Sequence, residues 1–183
     1  ASMFFLAAYP DASVVAIEAN PATLAVLTRN LAPWSDRVHI VGKALADHAG
    51  TTSFFATTGT PANVNAGIRN RERTGAPVTR MEVPCVDVAS VLDRPFDFAK
   101  IDIEGAEYDV LMNEAFVPAR VRSMIVEFHD LDEQRARFEE VVRTLTEVRG
   151  YRLADMHGRL MTLSTLPAIG PDSALICRLD APS

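Results

Sequence analysis

Cysteine is scarce: there are two in 183 residues, Cys85 and Cys177. They stand far apart, each in an apolar, strand-like stretch, so neither a disulfide framework nor a zinc-binding spacing is available. Both are expected to be buried structural thiols. Long apolar runs are lacking too. None approaches the roughly 20 residues that cross a bilayer. The apolar run at 4–8 is too short for a signal peptide, and no basic stretch precedes it. A cytoplasmic protein without membrane attachment is the expectation. Positive charge is the third shortage: 18 Lys and Arg against 24 Asp and Glu leave a net charge of −6. That disfavours nucleic acid and anionic membrane surfaces as partners and leaves small molecules open. Nothing in the sequence bears on oligomeric state.

What is present is an ordinary globular composition, 48% apolar and 23% charged, long enough for a single domain spanning residues 1–183 with its own core. Ser2 is positioned to cap a short helix that Pro10 ends. Residues 13–18 form a β-branched strand closing on Glu18. Asn20-Pro21 then opens a helix, with Asn20 as N-cap and Pro21 in the first position. Leu24, Leu27 and Leu31 give that helix one apolar stripe. A strand at 37–41 follows, a loop at 42–47 and a strand at 51–56. Residues 57–77 are rich in Gly, Pro and Asn, carry Arg69, Arg71 and Arg73, and read as a long functional loop or substrate lid. A strand at 78–86 buries Met81, Val83 and Cys85, and Asp87 caps a short helix. Further strands are expected at 97–102, 122–128, 150–156 and 173–179. The clearest helix spans 132–148, and a hairpin turn falls at His157-Gly158. The alternation of strand and helix with an antiparallel finish points to an α/β fold: Rossmann-like and doubly wound, mostly parallel, with an antiparallel C-terminal hairpin.

The most informative stretch is Lys100-Ile101-Asp102-Ile103-Glu104-Gly105-Ala106-Glu107, the end of a buried strand, an acidic turn and a helix start. Gly105 lets the backbone turn sharply. Asp102 and Glu104 have the same parity and share a face if the strand runs that far. Ligands of open α/β sheets bind beyond the carboxyl ends of the strands. Three strands end there in polar groups: Glu18, Asp102 with Glu104, and Glu127 with His129. His129 is the candidate general base, since an ordinary histidine titrates at about 6.5, and Glu104 is the second candidate. Glu127 is placed to orient His129. His39, His48 and His157 read as structural or solvated. A divalent metal on Asp102, Glu104 and Glu127 is the alternative to the base, acidifying a hydroxyl instead; it ranks below the histidine because the spacing fixes no three ligands at one point.

These residues carry a resemblance. Val15-Ala16-Ile17-Glu18-Ala19-Asn20-Pro21, Ala44-Leu45-Ala46-Asp47, the octet at 100–107 and Val126-Glu127-Phe128-His129 together resemble the FkbM family of S-adenosylmethionine-dependent methyltransferases, over nearly the whole chain from Ala1 to about Tyr151. The resemblance implies a class I methyltransferase fold, S-adenosylmethionine as cofactor, and O-methylation of a hydroxyl on a sugar or natural product. It implies that Glu18 binds the cofactor ribose, with Ala19 and Asn20 beside it in the cofactor site. Ala44 and Leu45 would flank the adenine, and Asp102 would lie by the methionine end. Such enzymes begin with a strand and a D-x-G-x-x-x-G loop, absent from these residues. The expectation is that this central strand precedes Ala1 and the domain here is N-terminally incomplete. Two other classes compete. A nicotinamide-dependent oxidoreductase also uses a strand-terminal acid on ribose, but needs a G-x-G-x-x-G loop, which is equally absent. A binding module that kept the fold and lost the cofactor site is the other.

Overall fold

The computed structural model describes residues 1–57, 66–67, 78–166 and 174–182. They fall into two compact units, Ala1–Val86 and Asp87–Ser183.

In the first unit, helix α1 (Ser2–Ala8) leads to strand β1 (Val14–Ile17), helix α2 (Pro21–Leu31) and strand β2 (Val38–Val41). β1 and β2 pair in parallel, from Val14 opposite Val38 to Ile17 opposite Val41. Ser2 does not cap α1; Ala1 occupies that position with no side-chain bond. The other end of α1 is closed from a distance. The Arg37 guanidinium donates to the Leu6 carbonyl at 2.8 Å, one of the groups that a helix end leaves without a partner, and to the Pro10 carbonyl just beyond at 2.6 Å. The start of α2 follows its local signals. Asn20 is extended, its Oδ1 accepts the Ala22 N–H at 3.0 Å, and Pro21 needs no hydrogen bond there. The stripe of α2 buries Leu31 with Leu6 and Ala16, and Leu27, Trp34 and Ile40 pack around them. At Gly42, just past β2, a Cβ would stand 2.7 Å from Leu24 Cδ2, so the leucine tip would have to move to admit one.

The expected loop at 42–47 is instead partly strand. β3 (Ala44–Ala46) joins β4 (Gly50–Thr57), β5 (Ala66–Gly67) and β6 (Val78–Asp87) in a sheet of order β3-β6-β4-β5. Three residues, two of them alanines of weak β-propensity, give too short a pattern to read as strand. In the fold Ala44 and Ala46 lie on one face with Phe54, Ala56, Val83 and Cys85, which is what makes the segment extended. β4 pairs antiparallel with β6 and with β5. Apart from β5 and Thr57, the expected lid at 57–77 lies outside the described residues, its arginines included.

The second unit opens with α3 (Val88–Val91), capped by Asp87 Oδ1 on the Ala89 N–H at 2.9 Å. It continues through β7 (Phe96–Ile101), α4 (Glu107–Met112), β8 (Val121–Phe128), α5 (Leu131–Arg143), β9 (Arg152–Ala154) and β10 (Leu175–Asp180). β7 and β8 are parallel, with Ile101 opposite Val126, so their carboxyl ends finish side by side. β10 enters between β8 and β9, antiparallel to both. The tight hairpin expected at His157-Gly158 therefore reduces to one bridge between Ala154 and Leu160. The mixed α/β class stands, with parallel pairs at β1–β2 and β7–β8. The described strands form three sheets; β10 pairs antiparallel with β9 as the expected C-terminal finish requires, and β4 pairs antiparallel with β6.

The core of this unit gathers Met124, Val126 and Phe128 from alternate positions of β8 with Tyr108, Val110 and Leu111 of α4 and Phe138 of α5. Arg149 repeats the part played by Arg37, donating to the last carbonyls of α4 at Leu111 and Met112. Both cysteines are buried and free, as expected, and burial pushes the Cys177 thiol up to about 12. Burial likewise raises Tyr151 to about 12, where its O–H donates to the Val121 carbonyl at 2.7 Å. Because the folded-state value lies above the ordinary 10, the neutral phenol stabilises the fold below pH 10, and this contribution is lost as pH rises towards about 12. Tyr151→Phe is expected to cost about 1–2 kcal/mol at neutral pH, leaving a buried carbonyl short of its donor. In urea titrations the variant should also lose less stability than the parent between pH 10 and about 12. A cost near zero together with an unchanged alkaline slope would contradict this role.

Candidate active site

Past Ile101 the strand pairing ends and the chain must reverse into α4. It does so through two consecutive residues of positive φ, Glu104 at 56° and Gly105 at 101°. Glycine adopts this conformation without penalty; glutamate does not. The turn is held by Glu107, the first residue of α4. Its side chain folds back, accepting the Ile103 N–H at 3.2 Å and the Gly105 N–H at 2.8 Å, and it is 0% exposed. A buried carboxylate is costly unless hydrogen-bonded, and these main-chain donors, with the helix N-terminus, supply that compensation.

The same carboxylate reaches the end of β8. Glu107 Oε1 lies 2.8 Å from His129 Nδ1. Because both Glu107 oxygens already accept from N–H groups, the hydrogen-bond network assigns the proton of this bond to Nδ1. His129 is 8% exposed. Its Nε2 faces three carboxylates: Glu104 Oε2 at 3.7 Å, Glu127 Oε1 at 3.7 Å and Asp102 Oδ1 at 3.9 Å. The Tyr108 hydroxyl donates to the His129 carbonyl. Asp130, next in the chain, has φ 53°, so each of the two adjacent strand ends turns into its helix through a strained residue, a pattern found where function over-determines the backbone. Lys100 Nζ binds Asp102 Oδ2 at 2.6 Å.

This geometry revises three expectations. Asp102 and Glu104 do gather at His129, but not through strand parity; β7 ends at Ile101, and the turn brings them together. Glu127 is not the residue that orients the imidazole: it stands by Nε2, and the bond to Nδ1 comes from Glu107. The alternative metal set of Asp102, Glu104 and Glu127 changes one member: the group that converges in the fold has His129 in place of Glu127. Asp102, Glu104 and His129 each offer a ligand atom, all within 4.8 Å of one another. Glu107 is the residue sequence reasoning passed over, and a signal for it exists. Glu107, Val110 and Leu111 sit at i, i+3 and i+4, and all three are buried, so the acid occupies the apolar stripe of α4, where a carboxylate requires a reason.

Of the residues expected at the cofactor, Asp102 belongs to the second unit, and Glu18, Ala19, Asn20, Ala44 and Leu45 belong to the first. Glu18 follows β1 and its Oε1 accepts the Asn20 N–H at 2.7 Å. Burial pushes the Glu18 carboxyl up, and the N–H groups of Asn20 and Ala19 offset part of that. Asn20 is 3% exposed; its Oδ1 caps α2, while its Nδ2 has no hydrogen-bond partner among the described residues. An orphaned buried donor costs about 1–3 kcal/mol. Ala19 packs against the cluster that contains Ala44. Leu45, between two buried alanines on β3, is half-buried. His48 bonds the neighbouring Asp47 at 2.7 Å with both side chains more than half exposed, and His39 and His157 are exposed, as expected of solvated histidines.

Among the described residues no helix is long and apolar enough to cross a membrane. No curated protein and no solved structure matches the chain. The family model of the methyltransferase FkbM domain matches residues 3–153, a span that includes Glu18, the turn at Asp102–Glu107 and His129. The chain thus belongs to the FkbM methyltransferase family.

Proposed function

We propose that the chain forms one Rossmann-like methyltransferase domain that takes its methyl group from S-adenosylmethionine. The acceptor is a hydroxyl oxygen of a small molecule, a sugar or natural product, and His129 is the general base. The observation that carries this reading is the fixed imidazole, with Nδ1 on the buried Glu107 and Nε2 turned towards the acidic turn. Asn20 supports the cofactor assignment. A buried amide donor without a partner, beside the acceptor oxygens of Glu18, suits a ligand bearing ribose hydroxyls. By the family resemblance, Ala19, Ala44 and Leu45 are proposed to contact the cofactor as well, and the role of Asp102 towards its methionine end rests on that resemblance alone.

When bound, S-adenosylmethionine supplies a methyl group on a sulfonium, already a good leaving group. The residues of the chain have to orient the acceptor and move one proton. His129 Nε2 takes the hydroxyl proton. Asp102, Glu104 and Glu127, 3.7–3.9 Å away, stabilise the imidazolium that results. Glu104, second candidate for the base, would serve a proton presented from the turn side. A second reading rests on a separate observation: Asp102, Glu104 and His129 can each direct one atom to a common point, as ligands of a divalent cation do. There the metal, not the imidazole, would acidify the hydroxyl.

Calorimetric titration should show binding of S-adenosylmethionine and not of NADH. Glu18→Ala should weaken that binding about ten- to a hundredfold, through loss of charge-assisted hydrogen bonds. Binding of NADH would move the reading to an oxidoreductase, binding of neither to a module without cofactor, and unchanged affinity in folded Glu18→Ala would remove Glu18 from the site.

Turnover separates base from metal. With methyl-labelled S-adenosylmethionine and a panel of sugar and polyol acceptors, His129→Ala should lower kcat by roughly 10²–10⁴, with cofactor affinity little changed and no effect of chelators. Full activity in His129→Ala would end the base assignment. A parent enzyme silenced by chelation would transfer the role to a cation held by Asp102, Glu104 and His129.

A further inference from the structure

The geometry points to Glu107 as a positioning residue that sets the tautomer of His129 and so decides which ring nitrogen faces the acidic edge. The inference rests on the proposed role of His129 and adds the group that prepares it.

Glu107 is fully buried and accepts from three donors: two main-chain N–H groups of the acidic turn and the imidazole Nδ1. A carboxylate needed only to close the turn would be satisfied by Ile103 and Gly105. It has no need of the imidazole, and an apolar residue on this stripe of α4 would avoid the desolvation cost altogether. The third bond explains why a charge is kept there. An Nδ1–H donor makes Nε2 the lone-pair nitrogen, and Nε2 is the nitrogen beside Asp102, Glu104 and Glu127. The opposite tautomer would set the Nδ1 lone pair against a carboxylate oxygen at 2.8 Å, which is repulsive. The Tyr108 hydroxyl on the His129 carbonyl fixes the main chain of the same residue, so ring and backbone are both anchored by neighbouring residues of α4. The charged and titratable groups around the ring are Glu107 from α4, Asp102 and Glu104 from the turn, Glu127 from β8, Lys100 on Asp102, and Asp130 next in the chain. Of these, Glu107 is the group at Nδ1.

The test reads the ring directly and needs no substrate. Long-range proton–nitrogen spectra of the histidine-labelled chain should show neutral His129 in the Nδ1–H form. In Glu107→Leu, which is of similar size and offers Nδ1 no acceptor, that form should no longer dominate. A purely structural Glu107 would leave the tautomer unchanged in a folded variant. Should Glu107→Leu fail to fold, the parent spectrum decides alone: an Nε2–H tautomer overturns the inference and an Nδ1–H tautomer supports it. A folded Glu107→Leu with unchanged tautomer also overturns it. Failure here leaves the turnover test of His129 standing, and failure there leaves this tautomer result standing, so the two readings fall separately.

Discussion

A carboxylate with no access to water is the constraint on which the candidate active site depends. Glu107 could be buried only if its oxygens were given donors, and the fold provides them from two directions: the reversed backbone after β7 and the imidazole at the end of β8. Each supplier is bound in return. The turn must carry Glu104 and Gly105 at positive φ for the Ile103 and Gly105 N–H groups to point inward. The imidazole must present Nδ1. The parallel register of β7 and β8, with Ile101 opposite Val126, places those two suppliers next to each other. Tyr108, Val110 and Leu111, buried on the same short helix, fix α4 beneath them. Six residues of helix would be marginal alone; packing and the carboxylate hold this one.

Side chains that satisfy main-chain groups recur through the chain, which makes an orphaned buried donor informative. Arg37 closes α1 and Arg149 closes α4 by donating to terminal carbonyls, each from a residue distant in sequence. Asn20 and Asp87 cap the helices that follow them. Against this background the Asn20 amide nitrogen stands out: buried and, among the described residues, without an acceptor. It lies two residues from Glu18, the acid proposed above to bind the cofactor ribose, and a ligand hydroxyl would relieve its cost.

How much of this was legible in the sequence follows from the range of each signal. Local chemistry could be read: Asn20-Pro21 announces α2, Asp87 announces α3, and the β-branched and apolar runs before Glu18 and His129 announce β1 and β8. The acidic octet, and with it the family, could be read as a motif. Non-local facts could not. β3 is extended because its alanines fit a small face built by Phe54 and Val83, far along the chain. β10 lies between β8 and β9 because of sheet order, which no turn signal encodes. The carboxylates around His129 were found, but by the wrong route, since parity assumed a strand that stops at Ile101. Glu107 was visible as an acid on an apolar stripe, yet its purpose depends on an imidazole 22 residues away.

The central claim is that this buried carboxylate holds an imidazole ready at the place where methyl transfer occurs. The most direct measurement follows the His129 Nε2 resonance of the labelled chain while S-adenosylhomocysteine, the demethylated product, is titrated in. The account predicts a saturable shift of Nε2, with Nδ1 still hydrogen-bonded to Glu107. Saturation of the cofactor site with His129 Nε2 unmoved would contradict it.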